Sequence, residues 1–343
     1  MNRSLLSLTA LALLAACSDS TGPLSDAPEA GDIAPEALDP SFEATGTTAS
    51  LAVRQLWAVV NQNGTLARGS RVTGVTHLGI GRYEITFDRN VAGCAFIATT
   101  TNAYSQALGI YTAGGHLSAN GVYVETKNQG GGLTDGPFNL LVSCGPLNTR
   151  FAVVGYSANL VRSTGGATLT PLGAGRYRIR FSSSVGGCAF LATVADPGNG
   201  LVFNPSGVYT GKGPDGRTVY VETKNPGGGL QDGVPFHLTV ICPTTKSARF
   251  AVVKANGAKQ RASTGTTSSR TATGHYQIAN NINVSACAAL ATRGSVNASV
   301  PFSPATVEII PGATSKSIGI QVRQLLFFGG APADQAFHAA VIC

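Results

Sequence analysis

Charged side chains are scarce in this sequence. Asp, Glu, Lys and Arg make up 12% of the 343 residues, about half the share found in typical soluble proteins. The chain has one Met and one Trp, and no segment keeps an apolar 3.6-residue period without Gly or β-branched interruptions. Gly is abundant instead, with 43 residues, together with Thr, Ser and Val. This composition predicts a turn-rich, exported all-β protein.

Motifs of several enzyme and metal-site classes are also missing. The sequence has no CxxC pair at zinc-site spacing, no GxSxG serine elbow, no phosphate loop ending in GK[ST] and no DxDxDG calcium loop. Only five histidines occur, and none recurs in all three of the repeats described below. We therefore expect a protein that is not an enzyme and that needs no metal or other cofactor.

The N-terminus carries the longest apolar run. Leu5–Ala16 follows Arg3 and is too short to span a bilayer as a mature helix, which is typical of a signal peptide. The word LAAC, ending at Cys17, resembles a bacterial lipobox, and Cys17 is the odd cysteine beside six others. We predict a lipoprotein signal peptide at 1–16, lipidation of Cys17 and, because Ser18 rather than an acidic residue follows, outer-membrane or cell-surface placement. An ordinary signal peptide with an incidental cysteine is the alternative.

Residues 17–50 differ in composition from the rest of the chain. They hold seven acidic residues, four prolines and no basic residue, so we predict a disordered acidic tether. Subtracting these seven from 17 acidic residues, and Arg3 from 24 basic ones, leaves 10 and 23 in Leu51–Cys343, a net charge of +13. Such a charge attracts anions. We expect a membrane contact through the lipid and anionic glycans or lipopolysaccharide as partners, and not nucleic acid. A basic charge without a specific partner is the alternative.

The chain after residue 50 is a tandem array of one unit. VYVETKN followed by GGGL occurs at Val122 and again at Val219, and a looser copy begins at Ile318. An aromatic residue precedes a cysteine by 37 positions three times, with an arginine 11 and a tyrosine 26 positions after it. These residues are Trp57, Arg68, Tyr83 and Cys94; Phe151, Arg162, Tyr177 and Cys188; and Phe250, Arg261, Tyr276 and Cys287. We predict β domains at 51–144, 150–242 and 249–343, the third divergent, joined by short linkers into a semi-rigid rod.

Alternation and cysteine spacing define the fold of each unit. In Arg176–Phe181, Tyr177, Ile179 and Phe181 share one face of a strand, opposite three arginines. Each unit has its own two cysteines, 50, 54 and 56 residues apart. In an exported chain this spacing predicts one disulfide per unit: Cys94–Cys144, Cys188–Cys242 and Cys287–Cys343. The predicted fold is all-β, with three tandem disulfide-bonded β-sandwich domains, Ig-like or jelly-roll-like, on a disordered tether.

The best anion-binding candidates lie in the second unit. Arg176, Arg178 and Arg180 form a ladder on one strand face, and Arg162 stands elsewhere in the same unit. An exposed face that only keeps the sheet soluble is the alternative. The arginine and the tyrosine that recur in all three units are interpreted as structural. We expect the tyrosine in the core and the arginine in hydrogen bonds at a strand edge or between sheets.

The remaining polar side chains have structural interpretations. His237 and His338 have Asp232 and Asp334 upstream, but no constant serine completes a triad, so we expect strand histidines that face solvent. The Glu-Thr-Lys words at 125–127 and 222–224 predict ion pairs on one strand face. Asp135 and Asp232 follow Gly-rich loops and are expected to form turns through side-chain-to-backbone hydrogen bonds.

The stretch Asn63–Phe96, NGTLARGSRVTGVTHLGIGRYEITFDRNVAGCAF, resembles a small β domain of bacterial secreted proteins. With the preceding WxVxNxxGT word from Trp57, it also resembles a domain of phage tail fibres. The resemblance covers the first half of each unit, and the second and third units lack the Asn-Gly-Thr word. It implies a binding or structural module, trimeric if it is fibre-like, with no catalytic residues to transfer.

Together these patterns predict a non-enzymatic surface lipoprotein. Its role would be binding or adhesion, with basic β domains presented to anionic envelope or extracellular ligands. A structural envelope spacer without a specific ligand is the first alternative. A hydrolase that joins His, Asp and a hydroxyl nucleophile in one pocket is the second. The charge of the domains favours binding over spacing, because a spacer needs no such charge.

Overall fold

The structure is a computed structural model that describes residues 55–101, 109–128, 130–145, 150–201, 206–245, 247–297, 304–325 and 330–343. These residues belong to one compact unit, Leu51–Cys343. The predicted signal peptide, the predicted lipidation of Cys17 and the predicted tether concern residues outside the described ranges and stay predictions. Over the described ranges the regular elements are all β-strands, and no helix is long and apolar enough to cross a membrane.

Each repeat forms eight strands. Repeat 1 contains β1 (Leu56–Val60), β2 (Leu66–Ser70), β3 (Val72–Gly79), β4 (Arg82–Phe87), β5 (Ala95–Thr100), β6 (Gly109–Gly114), β7 (Gly121–Lys127) and β8 (Phe138–Ser143). Repeat 2 contains β9 (Arg150–Val154), β10 (Leu160–Ser163), β11 (Thr168–Pro171), β12 (Arg176–Arg180), β13 (Ala189–Val194), β14 (Gly207–Lys212), β15 (Thr218–Lys224) and β16 (Phe236–Ile241). Repeat 3 contains β17 (Ala248–Val253), β18 (Lys259–Ala262), β19 (Thr267–Ala272), β20 (His275–Ala279), β21 (Ala288–Arg293), β22 (Ala305–Pro311), β23 (Ser317–Gln324) and β24 (Phe337–Ile342).

The eight strands of a repeat form two antiparallel four-stranded sheets. In repeat 1 the inner sheet has the order β2-β1-β8-β5, and the outer sheet has the order β3-β4-β7-β6. The inner sheets of repeats 2 and 3 are β10-β9-β16-β13 and β18-β17-β24-β21, and the outer sheets are β11-β12-β15-β14 and β19-β20-β23-β22. The prediction of an all-β fold with three tandem β-sandwiches is confirmed.

The core of each sandwich lies between its two sheets. Because side chains alternate along a strand, every second residue of each strand points toward the opposite sheet of the sandwich. In repeat 1 Tyr83 and Phe87 of β4 are at most 1% exposed and share a cluster with Phe138 of β8. Tyr177 and Tyr276 are buried in the same way. The recurring tyrosine is therefore a core residue, as predicted.

Each sandwich contains the disulfide that the cysteine spacing predicts. The bonds join Cys94 to Cys144, Cys188 to Cys242 and Cys287 to Cys343. Each disulfide closes a loop of about 50 residues, which stabilises a fold by roughly 4 kcal/mol in the chain-entropy description. Disulfides persist in oxidising compartments, so the three bonds indicate an exported protein.

The second face of each inner sheet is buried as well. Trp57 of β1, Leu191 of β13 and Phe250 of β17 belong to one apolar cluster that all three inner sheets share, here called the central cluster. Alternate residues of the same strands, such as Leu56 and Ala58, belong to the core of their own sandwich. The three repeats therefore pack around a common centre. The predicted rod is wrong.

Each inner sheet ends in an edge strand that the next repeat covers. On β5 the backbone N–H of Ala98 donates to Oγ1 of Thr193 in repeat 2 (2.9 Å), and this hydroxyl donates to the Ala98 carbonyl (3.2 Å). The same exchange joins repeat 2 to repeat 3 and repeat 3 to repeat 1, through Ala192 with Thr292 and Ala291 with Thr99. Unpaired strand edges invite aggregation, and these contacts cap all three while closing the repeats into a ring.

The recurring arginines connect the same pairs of repeats as the threonines do. Each one donates a hydrogen bond from Nε to the carbonyl of the first disulfide cysteine of another repeat. The bonds run from Arg162 to Cys94 (3.0 Å), from Arg261 to Cys188 (2.7 Å) and from Arg68 to Cys287 (3.0 Å). The prediction of inter-sheet hydrogen bonds is confirmed, and the sheets that they join belong to different repeats.

His237 and His338 are buried, which corrects the expectation that they face solvent. Both are 0% exposed. Nδ1 of His237 accepts a hydrogen bond from the backbone N–H of Phe96 (2.9 Å), and Nδ1 of His338 accepts one from Phe190 (2.8 Å). The expectation failed because alternation along a strand does not reveal what covers the second face of a sheet.

Candidate functional site

Three arginines lie side by side on the solvent side of the outer sheet of repeat 2. Arg176 and Arg180 are exposed and Arg178 is half-buried, while Tyr177 between them is buried in the sandwich core. Strand β15 runs beside β12 and places Tyr220 opposite Arg178. We call Arg176, Arg178, Arg180 and Tyr220 the arginine face.

Two of the three arginines have carboxylate partners. Nε of Arg176 lies 3.4 Å from Oε1 of Glu222, and Nε of Arg180 lies 3.6 Å from Oδ2 of Asp215. About half of each arginine side chain is in solvent, so both ion pairs are weak. Among the described residues, Arg178 forms no ion pair, and its Nε, which is buried, has no hydrogen-bond partner, so a ligand would have to bind the other guanidinium nitrogens. Arg178 is therefore the arginine that can accept an added anion without breaking an existing pair.

Tyr220 supplies an aromatic surface next to Arg178. Its half-buried side chain donates a hydrogen bond from its hydroxyl to Oε1 of Glu222 (3.1 Å). Oε2 of the same carboxylate lies 3.0 Å from Nζ of Lys224, which confirms the ion pair predicted from the sequence. Burial and Glu222 raise the pKa of Tyr220, so its phenol stays neutral at neutral pH.

Repeat 1 has the same sheet with a closed face. Glu84 stands in the place of Arg178, and Tyr123 lies opposite it on β7. Glu84 is fully buried and accepts hydrogen bonds from the backbone N–H groups of 116 and 117 (2.9 and 3.0 Å). The ring of His116 stacks on Tyr123 with 3.8 Å between centroids. A carboxylate at this position thus holds a loop over the aromatic ring that repeat 2 leaves accessible.

Repeat 3 has the register of the arginine face without its chemistry. Gln277 stands at the central position of β20, and Gly319 of β23 lies opposite it where repeat 2 has Tyr220. The position carries neither a cation nor an aromatic ring. The arginine face is therefore a property of repeat 2 alone.

Arg162 lies apart from the arginine face. It is on β10 of the inner sheet, where it bonds to the carbonyls of Cys94 and Pro197. Its guanidinium lies 6.0 Å from the ring centroid of Phe96. Burial lowers the pKa of Arg162. The structure thus brings together three of the four candidate arginines, and their anion-binding role stays a prediction.

The residues that could suggest a catalytic dyad have separate partners. Oδ1 of Asp232 accepts a hydrogen bond from the backbone N–H of Gly175, and Oδ1 of Asp135 accepts one from Gly81, both at 2.6 Å. The predicted side-chain-to-backbone hydrogen bonds are thus present, but they fix the β3–β4 and β11–β12 turns, 54 and 57 residues earlier, and not turns at the aspartates themselves. The hydrogen-bond partner of His237 is the backbone of Phe96 instead.

A histidine–aspartate pair in repeat 1 was not predicted from the sequence. Nε2 of His77 lies 2.9 Å from Oδ1 of Asp135, which also accepts a hydrogen bond from the Tyr83 hydroxyl (3.2 Å). In repeat 3, Arg270 takes the place of His77 and pairs with Asp334. The pair could have been predicted from the β3–β4 hairpin, which places His77 opposite the recurring Tyr83. Because an arginine forms the equivalent ion pair in repeat 3, we interpret the His77–Asp135 pair as a structural contact that stabilises this end of the sandwich.

Across the ranges that the structure describes, no group of three His, Cys, Asp or Glu side chains could hold a metal ion. Comparison of the chain with protein-family models, with curated proteins and with solved structures gives no match. The geometry of the arginine face is therefore the main indication of function.

Proposed function

We propose that this chain is a non-enzymatic surface lipoprotein that binds an acidic glycan through the arginine face of repeat 2. Lipid on Cys17 would hold the protein at the outer membrane or cell surface. The tether at 17–50, with its seven acidic residues, would separate the basic repeats from that surface. The protein would act in adhesion or in binding to the polysaccharide of an envelope, including that of lipopolysaccharide.

The unpaired Arg178 beside Tyr220 carries this proposal. A guanidinium presents five N–H donors in a planar fork that matches carboxylate, sulfate and phosphate groups, and a charge-assisted pair is about twice as strong as a neutral hydrogen bond. The tyrosine offers an apolar ring with a polar tip, which suits a sugar that has both apolar and hydroxyl-bearing faces. Both side chains are on a rigid sheet and need little ordering when a ligand binds.

The spacing along β12 suits a repeating polyanion. Outward-facing residues of a strand are about 6.8 Å apart, so the three guanidinium groups extend over about 14 Å. The outer two are held by weak ion pairs in which about half of each arginine side chain is exposed, so a ligand can replace them. The net charge of +13 on Leu51–Cys343 adds long-range attraction for such a polymer.

The closed ring weakens the alternative of an envelope spacer. A spacer gains reach when its domains are placed end to end, whereas three repeats packed around a common centre extend only as far as one or two. The ring also leaves the arginine face of β12 on the solvent side of an outer sheet. The hydrolase alternative gains no support from His237, which is fully buried.

Binding of the mature chain to polygalacturonate and to dextran sulfate, with neutral dextran as the reference, tests the proposal. Replacing Arg178 by Ala should weaken binding to the acidic polymers by roughly 10-fold, because a hydrogen bond to a charged group contributes about 1.5–3 kcal/mol. Binding should also weaken steeply with added salt.

The matched control is Arg82→Ala in repeat 1. Arg82 occupies the position of Arg176, and its Nε lies 3.6 Å from Glu125 with 47% of the side chain exposed. If Arg82→Ala and Arg178→Ala weakened binding to the acidic polymers equally, the interaction would be general charge attraction and not recognition by the arginine face. No retention on either acidic polymer at low salt would leave the spacer as the better explanation.

A further inference from the structure

A cavity of about 110 Å³ lies at the centre of the ring, and we call it the axial cavity. Equivalent positions of all three repeats line it. Its floor is formed by the ends of the three inner edge strands, which include Thr99, Thr193 and Thr292. These threonine hydroxyls are already used in capping the neighbouring strands. They are therefore part of the ring and leave ligand recognition to other side chains.

The outer part of the cavity is apolar and nearly threefold symmetric. Ile110, Val208 and Val307 occupy equivalent positions on β6, β14 and β22, and each is half-buried. All three line the cavity. For comparison, an engineered apolar cavity of about 150 Å³ accommodates benzene, so a space of this volume suits an organic molecule of no more than about six heavy atoms.

One residue breaks the symmetry. The last position of the inner edge strand is Thr100 in repeat 1, Val194 in repeat 2 and Arg293 in repeat 3, each opposite a core phenylalanine. All three line the cavity, and Arg293 is 2% exposed. A cation has thus been placed where the other two repeats have a neutral side chain.

The charge of Arg293 has no counterion within the described ranges of the chain. Its terminal nitrogens donate to the backbone carbonyl of Ala336 and to the side-chain oxygen of Gln335, both neutral groups, and its Nε has no partner. A guanidinium has five N–H donors, so these bonds leave donors unused. Burying a charge without a partner is costly, and a bound anion would offset that cost. Consistent with this, burial lowers the pKa of Arg293 to about 10.

We propose that the axial cavity is a binding site for a small monocarboxylate, with Arg293 as the residue that recognises the carboxylate. The planar guanidinium matches a carboxylate better than a spherical anion, and the apolar residues Ile110, Val208 and Val307 accommodate a short hydrocarbon chain. Tyr209, which also lines the cavity, adds an aromatic wall beside Arg293. This site is separate from the arginine face and does not depend on the proposed glycan binding.

Titration of the mature chain with butyrate, followed by calorimetry and by thermal unfolding at constant ionic strength, tests the site. Butyramide is the neutral probe of the same shape. We expect saturable binding of butyrate with a dissociation constant on the order of 1 mM, as suits six heavy atoms, and at least about 10-fold weaker binding of butyramide.

Arg293→Val is the decisive variant, because valine is the residue that repeat 2 has at this position. It should fold and should lose at least about 10-fold in butyrate affinity, since one charge-assisted contact is removed. Arg293→Thr copies repeat 1 and provides a second variant with the same expectation. Arg82→Ala, on an outer sheet, should bind butyrate as the unmodified chain does.

Three results would overturn the proposal. One is the absence of saturable butyrate binding by the unmodified chain. Another is equal affinity for butyrate and butyramide, which would make the cavity only apolar. The last is unchanged butyrate affinity in Arg293→Val or Arg293→Thr. None of these results would affect binding of acidic polysaccharides at the arginine face.

Discussion

The imidazole of His237 accepts a hydrogen bond at Nδ1 from the backbone N–H of Phe96, 141 residues earlier in the chain. The two residues belong to neighbouring repeats, and both are 0% exposed. His338 makes the same contact with Phe190, so two of the three junctions in the ring depend on a neutral histidine. Protonation would put a second N–H at Nδ1 against the backbone N–H and would break the contact.

These histidines predict that stability falls in mild acid. Burial, with the nearby cation Arg261, lowers the pKa of His338 to about 3, and burial with Arg162 lowers that of His237. Well above pH 6.5 these histidines are neutral in both the folded and the unfolded chain and add no pH dependence to stability. Below this pH only the unfolded chain binds protons, so stability declines until the folded pKa is reached. Relative to neutral pH, we expect a loss of about 2 kcal/mol per histidine at pH 5, measured by denaturant unfolding.

The control is the double replacement His237→Asn and His338→Asn. Repeat 1 has Asn139 at the equivalent position, where its amide donates to the Ala289 carbonyl. The interface between two repeats therefore tolerates asparagine at this position. The double variant should show a flatter pH dependence between about 6.5 and 3. An unchanged slope would mean that other groups cause the acid sensitivity.

Arg162 should contribute far more to stability than its exposed counterparts on the arginine face. Arg162→Ala would leave the carbonyls of Cys94 and Pro197 without this donor and would remove the contact with Phe96. We expect a loss of about 2–4 kcal/mol in the free energy of unfolding. Arg180→Ala, which removes only a solvent-exposed ion pair, should change it by less than about 1 kcal/mol. Similar losses from both variants would contradict the inter-repeat role of Arg162.

Much of each sandwich could be predicted from the sequence. Strict alternation identified the inward face of β4 and β12, with Tyr83 and Tyr177 in the core. The cysteine spacing, repeated three times, left one sensible pairing within each repeat. Both inferences depend on local patterns, which neighbouring repeats do not alter.

The ring could not be predicted, because its contacts join positions that no local pattern relates. Strand β1 is apolar on both faces, which indicates burial on two sides without showing what provides the second cover. Short linkers are compatible with a rod, which was the prediction, and equally compatible with a closed ring. The recurring Arg162 and the aligned His237 were signals of the interface, and only the structure showed which repeat they contact.

The central cluster predicts that the three repeats unfold together. In scanning calorimetry, the described unit should give one transition whose calorimetric and van't Hoff enthalpies agree, whereas independent domains in a rod would give several. Leu191→Ala, which creates a cavity in the cluster, should lower the stability of this single transition by about 2–5 kcal/mol. Leu172→Ala, at a residue 37% exposed, should change it by less than about 0.5 kcal/mol. Separate transitions would contradict a shared core.

At the junction between repeats 3 and 1, which has no histidine, one sequence difference compensates for another. In repeats 1 and 2 a threonine of the outer sheet donates to the carbonyl of Phe96 or Phe190, at 3.5 and 3.2 Å. Repeat 3 has Ile309 at the equivalent position, and an isoleucine cannot donate. The corresponding carbonyl, that of Ala289, accepts its hydrogen bond from Asn139 instead (2.5 Å). Asparagine in repeat 1 thus supplies the donor that repeat 3 lacks.

A double-mutant cycle on Asn139 and Ile309 tests this compensation. Asn139→His should cost about 1–3 kcal/mol in the free energy of unfolding, because the buried Ala289 carbonyl loses its donor. Ile309→Thr alone should also destabilise, since it places a hydroxyl in the core of repeat 3. Together the two changes reproduce the arrangement of the other junctions, so the double variant should be more stable than additivity predicts by about 1–2 kcal/mol. Strictly additive effects would show that a threonine at position 309 does not replace Asn139 as the hydrogen-bond donor to the Ala289 carbonyl.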